Sequence, residues 1–246
     1  MAHKGSVVLL GIKNTEAGEK DPRYLLRRVE LGSGAVLDLD LPALPIDVDT
    51  DGSRVFVLTH DELMAQTASL TVARLADLSD TLSLELDQDA RSLDMIGNRS
   101  LLISYPELHL LLDTQTLQAQ ETVRYQDGFQ PGFLERSPFS STDGSKLFYT
   151  YAEVEGDIAA VYKVGSRTAV LYYFQNYLSP DQISFQYDIG AATAVGYDEA
   201  NGLLLVGYAK ASAGGLGGLL RLRLEPDLVF VDQLDLPGVP RIIFSE

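Results

Sequence analysis

The chain has 246 residues, 46% of them hydrophobic, which is enough for a sizeable core, and no run reaches the roughly 18 consecutive apolar residues of a membrane-spanning helix. Nineteen Lys and Arg against 35 Asp and Glu leave a net charge of −16 with no basic cluster, which excludes nucleic acid and membrane insertion or anionic membrane surfaces as general partners. The absence of cysteine excludes disulfides, thiolate metal sites and cysteine nucleophiles.

Residues 1–5 lack the apolar stretch of a secretory signal. The expectation is a cytosolic protein or one whose signal has been removed, with the periplasm or cell envelope as the compartment in the second case.

Beyond this start, strand-like segments follow one another at 7–12, 24–31 and 35–41. The stretch 46–58 then reads as strand, tight turn, strand, because Asp51-Gly52 places a positive-φ turn residue between two alternating apolar runs. Its echo is 137–150, where Asp143-Gly144 is again followed by a polar pair and an apolar strand. Gly5, Gly52, Gly97, Gly144 and Gly202 mark the same turn at intervals of 47, 45, 47 and 58 residues. A period of about 40–50 residues made only of strands is the spacing of propeller blades. The long last interval holds an extra segment at 177–189.

The second unit continues through strands at 55–59, 69–75 and 81–86, the third through 101–104, 108–112 and 119–124. The fourth has 147–151, 159–164 and 169–174, and the fifth 203–208, 219–224 and 230–234. Inner strands are expected at 46–48, 93–96, 137–139 and 193–197, leaving the amino-terminal unit without one. Segment 240–246 reads as an inner strand with no blade after it. The predicted fold is therefore all-β, a single five-bladed β-propeller of four-stranded antiparallel blades at 240–246 plus 5–41, 42–87, 88–126, 133–175 and 190–236. The carboxyl-terminal strand closes the ring by pairing into the amino-terminal blade, which removes open sheet edges. The alternative is a segment cut from a longer array.

Leu110-Leu111-Leu112-Asp113-Thr114-Gln115-Thr116 resembles the "IDT-x-T" strand and turn of YVTN and YncE-like (WD40-like) β-propellers. Residues 51–57 and 143–149 are similar to their "PDG-x-x-hydrophobic" hairpin, and 240–245 to their "PR-x-I-x-F-S" inner strand. The resemblance spans essentially the whole chain. It implies a bacterial ligand-binding or envelope interaction scaffold, with lactonases and quinoprotein dehydrogenases among the relatives. Those relatives usually have seven or more blades, and this chain lacks the tryptophan and cysteine that cofactor-bearing quinoproteins use. No cofactor is implied.

In a propeller, the loops entering the inner strands and those joining second to third strands share one face, where ligands meet the axial channel. Arg91, Arg136 and Arg241 each fall at or just before an inner strand. They either present guanidinium groups to an anionic ligand or pair with acids such as Asp47 and Asp94 to tie blades together. Asp47 and Asp94 occupy the same place in consecutive inner strands and are the candidates for glycoside or lactone chemistry. Asp49-Thr50-Asp51-Gly52 begins like a calcium loop, but the residues after it supply no further ligands, so no metal site is expected. The three histidines, His3, His60 and His109, are too scattered for a triad, and His60 alone reaches the loop face. Tyr125, Gln126, Asp127 and Phe129 occupy a long loop, and with Tyr177 they suit a sugar or peptide partner. The expectation is a monomeric, non-catalytic scaffold recognising a protein, peptide or glycan. The alternative is a hydrolase or lyase using Asp47 and Asp94.

Overall fold

The computed structural model describes residues 2–16, 18, 23–62, 67–86, 89–125, 131 and 139–243. The chain divides into two compact units, 1–130 and 131–246. All strands belong to four-stranded antiparallel sheets whose neighbours in space are neighbours in sequence.

The first unit holds three sheets. The first comprises β1 (Ala2–Lys4), β2 (Val7–Lys13), β3 (Tyr24–Glu30) and β4 (Val36–Asp40). The second comprises β5 (Leu44–Thr50), β6 (Arg54–His60), β7 (Ala68–Arg74) and β8 (Leu82–Leu86). The third comprises β9 (Ser92–Ile96), β10 (Ser100–Ser104), β11 (Leu108–Asp113) and β12 (Ala119–Arg124). The second unit holds two sheets, β13 (Phe139–Ser140), β14 (Lys146–Tyr151), β15 (Ile158–Lys163) and β16 (Thr168–Tyr172), then β17 (Ile189–Asp198), β18 (Leu203–Lys210), β19 (Gly217–Arg223) and β20 (Val229–Leu236). Five such sheets are the number a five-bladed propeller requires.

The repeated Asp-Gly-Ser turns form as their chemistry dictates. Asp51 Oδ1 accepts the backbone N–H of Ser53 at 2.8 Å and of Arg54 at 2.7 Å, while Gly52 takes φ 91°. Asp143 repeats this with the N–H of Ser145 at 2.9 Å and the hydroxyl of Ser141 at 2.7 Å, and these donors hold its carboxyl down at about 2. In the Asp113-Thr114-Gln115-Thr116 turn, Asp113 accepts the N–H of Thr116 at 2.8 Å and Arg99 Nε at 2.8 Å. Both donors keep that carboxyl well below the usual carboxylate range.

Strand alternation then sorts the core. On β6, Val55 and Val57 pack with Leu9, Leu26 and Val48 between the first and second sheets. Phe56 and Leu58 point the other way and pack with Leu70, Leu93, Leu101 and Ile103 between the second and third. Each such fully buried side chain contributes on the order of 1.5–3 kcal/mol. In the second unit Phe148 and Val161 pack with Leu204, Val206 and Leu220. The outermost strands are the wet ones: β4 and β8 bury no residue fully.

The amino-terminal sheet corrects the expectation that this unit has no inner strand of its own. Its inner strand is β1, paired with β2 through Ala2↔Leu9, His3↔Val8 and Lys4↔Val7, so all four of its strands come from residues 2–40. Residues 241–243 belong to no strand. The carboxyl-terminal segment lies on β17: Thr193 Oγ1 donates to the Pro240 carbonyl at 2.6 Å. The short β1 suffices because the two-residue turn at Gly5 and Ser6 brings it straight back onto β2. The extra segment between β16 and β17 holds a 3-10 turn, Phe174–Asn176, and a π-helical turn, Gln182–Gln186, which carries the exposed Phe185.

Candidate functional site

The acids of the inner strands lie where β5 runs beside β9. Asp47 Oδ2 accepts the backbone N–H of Leu93 at 2.9 Å, and its Oδ1 accepts the N–H of Val48 at 2.9 Å. Asp49 does the same one pleat on, with the N–H of Met95 at 2.7 Å and of Thr50 at 2.7 Å. Alternation on β5 aims both carboxylates at the edge of β9 that β10 leaves unpaired, so they satisfy donors that would otherwise be buried and orphaned.

Burial raises the Asp47 carboxyl above its ordinary value despite those two donors. Asp94 is raised well above its own, first by complete burial and then by the charges of Asp47 and Asp49. Among the described residues Asp94 Oδ2 has no hydrogen-bond partner, nor do Ser92 Oγ and Ser104 Oγ, which lie opposite each other on β9 and β10. The two expected acids are thus electrostatic neighbours. One is engaged on both oxygens by backbone donors, and the other is only 4% exposed.

A cleft of about 480 Å³ opens beside the third sheet, at the end where β10 turns into β11 and the chain enters β9. Tyr105, Pro106, Leu108 and Leu110 give it an apolar wall. Asp89, Glu107, Thr122 and Arg124 supply its polar groups. Cross-strand pairing of Leu108 with Arg124 and of Leu110 with Thr122 puts these side chains on one face of the β11–β12 ribbon. The backbone N–H of Tyr125 donates to the Glu107 carbonyl at 2.9 Å and fixes the β10–β11 turn against the end of β12.

The charges of this cleft lack the cross-strand partners that arginines of two other sheets have. On the first sheet Arg27 sits opposite Asp38 and forms a forked pair at 2.8 and 2.7 Å. On the fifth, Arg221 sits opposite Asp232, with Nε to Oδ1 at 2.6 Å. On the third sheet the corresponding ribbon places Leu108 opposite Arg124. Among the described residues, Asp89, Glu107 and Arg124 form no ion pair.

Several expected site residues lie at the same end of the second and third sheets. His60 Nε2 donates to the Ala90 carbonyl at 2.7 Å, tying the end of β6 to the connection that carries Asp89. Arg91 is exposed, and its backbone N–H donates to the Ser104 carbonyl at 2.7 Å; its guanidinium pairs with neither Asp47 nor Asp94. Tyr125 is half-buried, its hydroxyl 3.2 Å from Nδ1 of the buried His109. In the second unit, Arg241 is exposed, and Tyr177 packs edge-on against Phe174 with its hydroxyl buried. Arg136, Gln126, Asp127 and Phe129 lie outside the described residues.

Sequence reasoning missed Glu107, Arg124, Leu108 and Leu110 as a group. The signal available was the Arg124 position itself, an arginine on a fourth strand with no aspartate in register on the third. Among the described residues no group of three or more His, Asp or Glu side chains is placed to hold a metal, and no helix is long and apolar enough to cross a membrane.

Comparison of the sheets with solved structures decides the fold. It is that of a β-propeller. The chain superposes on the β-propeller domain of the Trilobed protease from Pyrococcus furiosus, described as having an open velcro topology, with TM-score 0.50 and 15% identity over 100% of this chain and 96% of that one. It is also similar to hydrazine synthase from Kuenenia stuttgartiensis, with TM-score 0.55 and 10% identity over 87% of this chain. A third similar structure comes from a study of two prolyl endopeptidases, with TM-score 0.58 and 10% identity over 96% of this chain. The chain spans 60% of the hydrazine synthase chain and 33% of the prolyl endopeptidase chain. No family model and no curated protein matches the sequence.

Proposed function

We propose that this β-propeller is a non-catalytic binding scaffold of the YVTN/YncE-like repeat type that recognises a protein, peptide or glycan on its loop face. The observation that carries the reading is the cleft beside the third sheet. Its apolar wall, with a few polar groups of both signs and a volume of about 480 Å³, has the composition and size of ligand sites, which run from about 300 to 1,000 Å³. Arg91 and Tyr125 flank it at the same end of the sheet.

The second reading is a glycoside- or lactone-acting hydrolase or lyase working through Asp47 and Asp94. It draws on the coupling of these two acids, since like charges that push a carboxyl upward are a feature of acid–base sites. Against it weigh the backbone donors that hold both oxygens of Asp47.

The test is to pan random peptide and glycan libraries on the immobilised protein and locate each hit by hydrogen exchange. Protection of loops on one face supports the scaffold. Turnover of aryl glycosides or lactones that Asp94→Asn abolishes overturns it.

A further inference from the structure

We infer that the cleft beside the third sheet takes a short peptide ending in a basic residue with a free carboxylate. The inference rests on the scaffold reading above and deepens it by naming a ligand class.

Asp89 and Glu107 bring two negative charges to the cleft and Arg124 one positive charge, and none is neutralised by an ion pair among the described residues. All three residues are exposed, so an occupant that pairs them exchanges water for charge-assisted hydrogen bonds, and a neutral occupant gains none of these. A phosphate or other polyanion meets two carboxylates against one guanidinium. A simple polycation meets Arg124. The occupant that pairs all three of these described charges carries two cationic groups and one anionic group. A peptide with a free amino terminus and a carboxyl-terminal lysine has that set: its carboxylate meets the forked guanidinium of Arg124, and its two ammonium groups meet Asp89 and Glu107.

Shape and wall chemistry agree. The cleft is about 480 Å³, within the range of about 300–1,000 Å³ of small-ligand sites, which suits a short peptide. Leu108, Leu110 and the ring of Tyr105 form the wall, which suits an apolar side chain ahead of the basic one. Arg124 is exposed and lies at the end of β12, so it can be replaced without opening the core.

The experiment titrates the whole protein with Leu-Lys, Leu-Lys amide and N-acetyl-Leu-Lys, read by calorimetry and by the methyl resonances of Leu108 and Leu110. Leu-Lys is expected to bind best, with loss of about tenfold or more for either blocked peptide, the size of a charge-assisted hydrogen bond. Arg124→Gln is expected to weaken Leu-Lys by a similar factor while leaving the amide unchanged, and Asp89→Asn to weaken Leu-Lys and the amide alike. Equal affinity for the free and amidated peptides, no effect of Arg124→Gln, or no saturable shift of the two leucine methyls overturns the inference. A library peptide that protects other loops of the same face while Leu-Lys fails leaves the scaffold reading standing and removes this one. Absence of any peptide, protein or glycan ligand removes both.

Discussion

The carboxylate of Asp49 accepts the backbone N–H of Met95 at 2.7 Å, a side chain of one sheet completing the edge of the next. Asp47 and Leu93 repeat the contact at 2.9 Å. Innermost strands have one edge that no strand covers, and here acids in alternate positions of β5 supply the acceptors that a fifth strand would have supplied. Asp49→Ala should therefore lower unfolding free energy by about 1–3 kcal/mol, since it leaves a buried donor unpaired. Asp49→Asn keeps an acceptor oxygen and should lose less than half as much. Urea titration measures both. Equal losses would show that the oxygen is not what matters.

The acids around β9 also give stability a pH dependence of predictable sign. Asp94 is raised above its unfolded value by burial and by the charges of Asp47 and Asp49, and Asp47 is raised by burial. For a raised group the contribution is fully present below the unfolded value of about 3.9 and is lost as pH rises through the higher folded value. Asp113 and Asp143 work in the opposite sense, contributing above that unfolded value and losing their effect as pH falls toward their depressed ones. Asp94→Asn should consequently gain on the parent protein as pH rises from about 4 to about 7. Thermal melts of the pair across that range check it. A gap that stays constant with pH would show that folding does not raise the Asp94 carboxyl at all.

The elements that were legible in the sequence are those whose chemistry is local. Asp51-Gly52-Ser53 and Asp143-Gly144-Ser145 set their turns from three adjacent residues, so the hairpins and their period could be read directly. The amino-terminal inner strand was missed because its chemistry is not local. Ala2–Lys4 is too short to show alternation, and its strand character comes only from pairing with β2. In the segment expected as a carboxyl-terminal strand, Pro240 and Ile243 cover glycines of the last sheet. The cleft was illegible because Asp89, Glu107 and Arg124 come from three separate segments. Strand spacing puts Asp47 and Asp94 at the same place in consecutive inner strands, and the charge of Asp47 does act on Asp94. What strand spacing could not show was that backbone donors already occupy Asp47.

That covering contact makes its own prediction. A Cβ on Gly207 would sit 2.6 Å from Pro240 Cγ and 3.4 Å from Ala194 Cβ. The pyrrolidine ring cannot bend away, so Gly207→Ala must lift Pro240 and break its bond with Thr193. A loss of about 1–3 kcal/mol is expected, as for other overpacked sites, together with faster trimming of the tail by carboxypeptidase. Unchanged trimming would mean that the tail is not held by this face.

His60 is not among the described residues that line the cleft, yet it reaches the chain segment that bears one of them. Its Nε2–H donates to the carbonyl of Ala90, a fully buried residue directly after Asp89. His60→Phe keeps the ring and removes the donor, orphaning that carbonyl at a cost of about 1–2 kcal/mol. The Asp89–Arg91 connection then loosens, so amide exchange at Arg91 should quicken although its own bond to Ser104 is untouched. If the cleft binds Leu-Lys as inferred, His60→Phe should weaken that affinity severalfold by freeing Asp89, whereas His60→Gln, which restores a donor, should recover part of it. Full stability with weakened binding would place His60 in direct contact with the ligand instead.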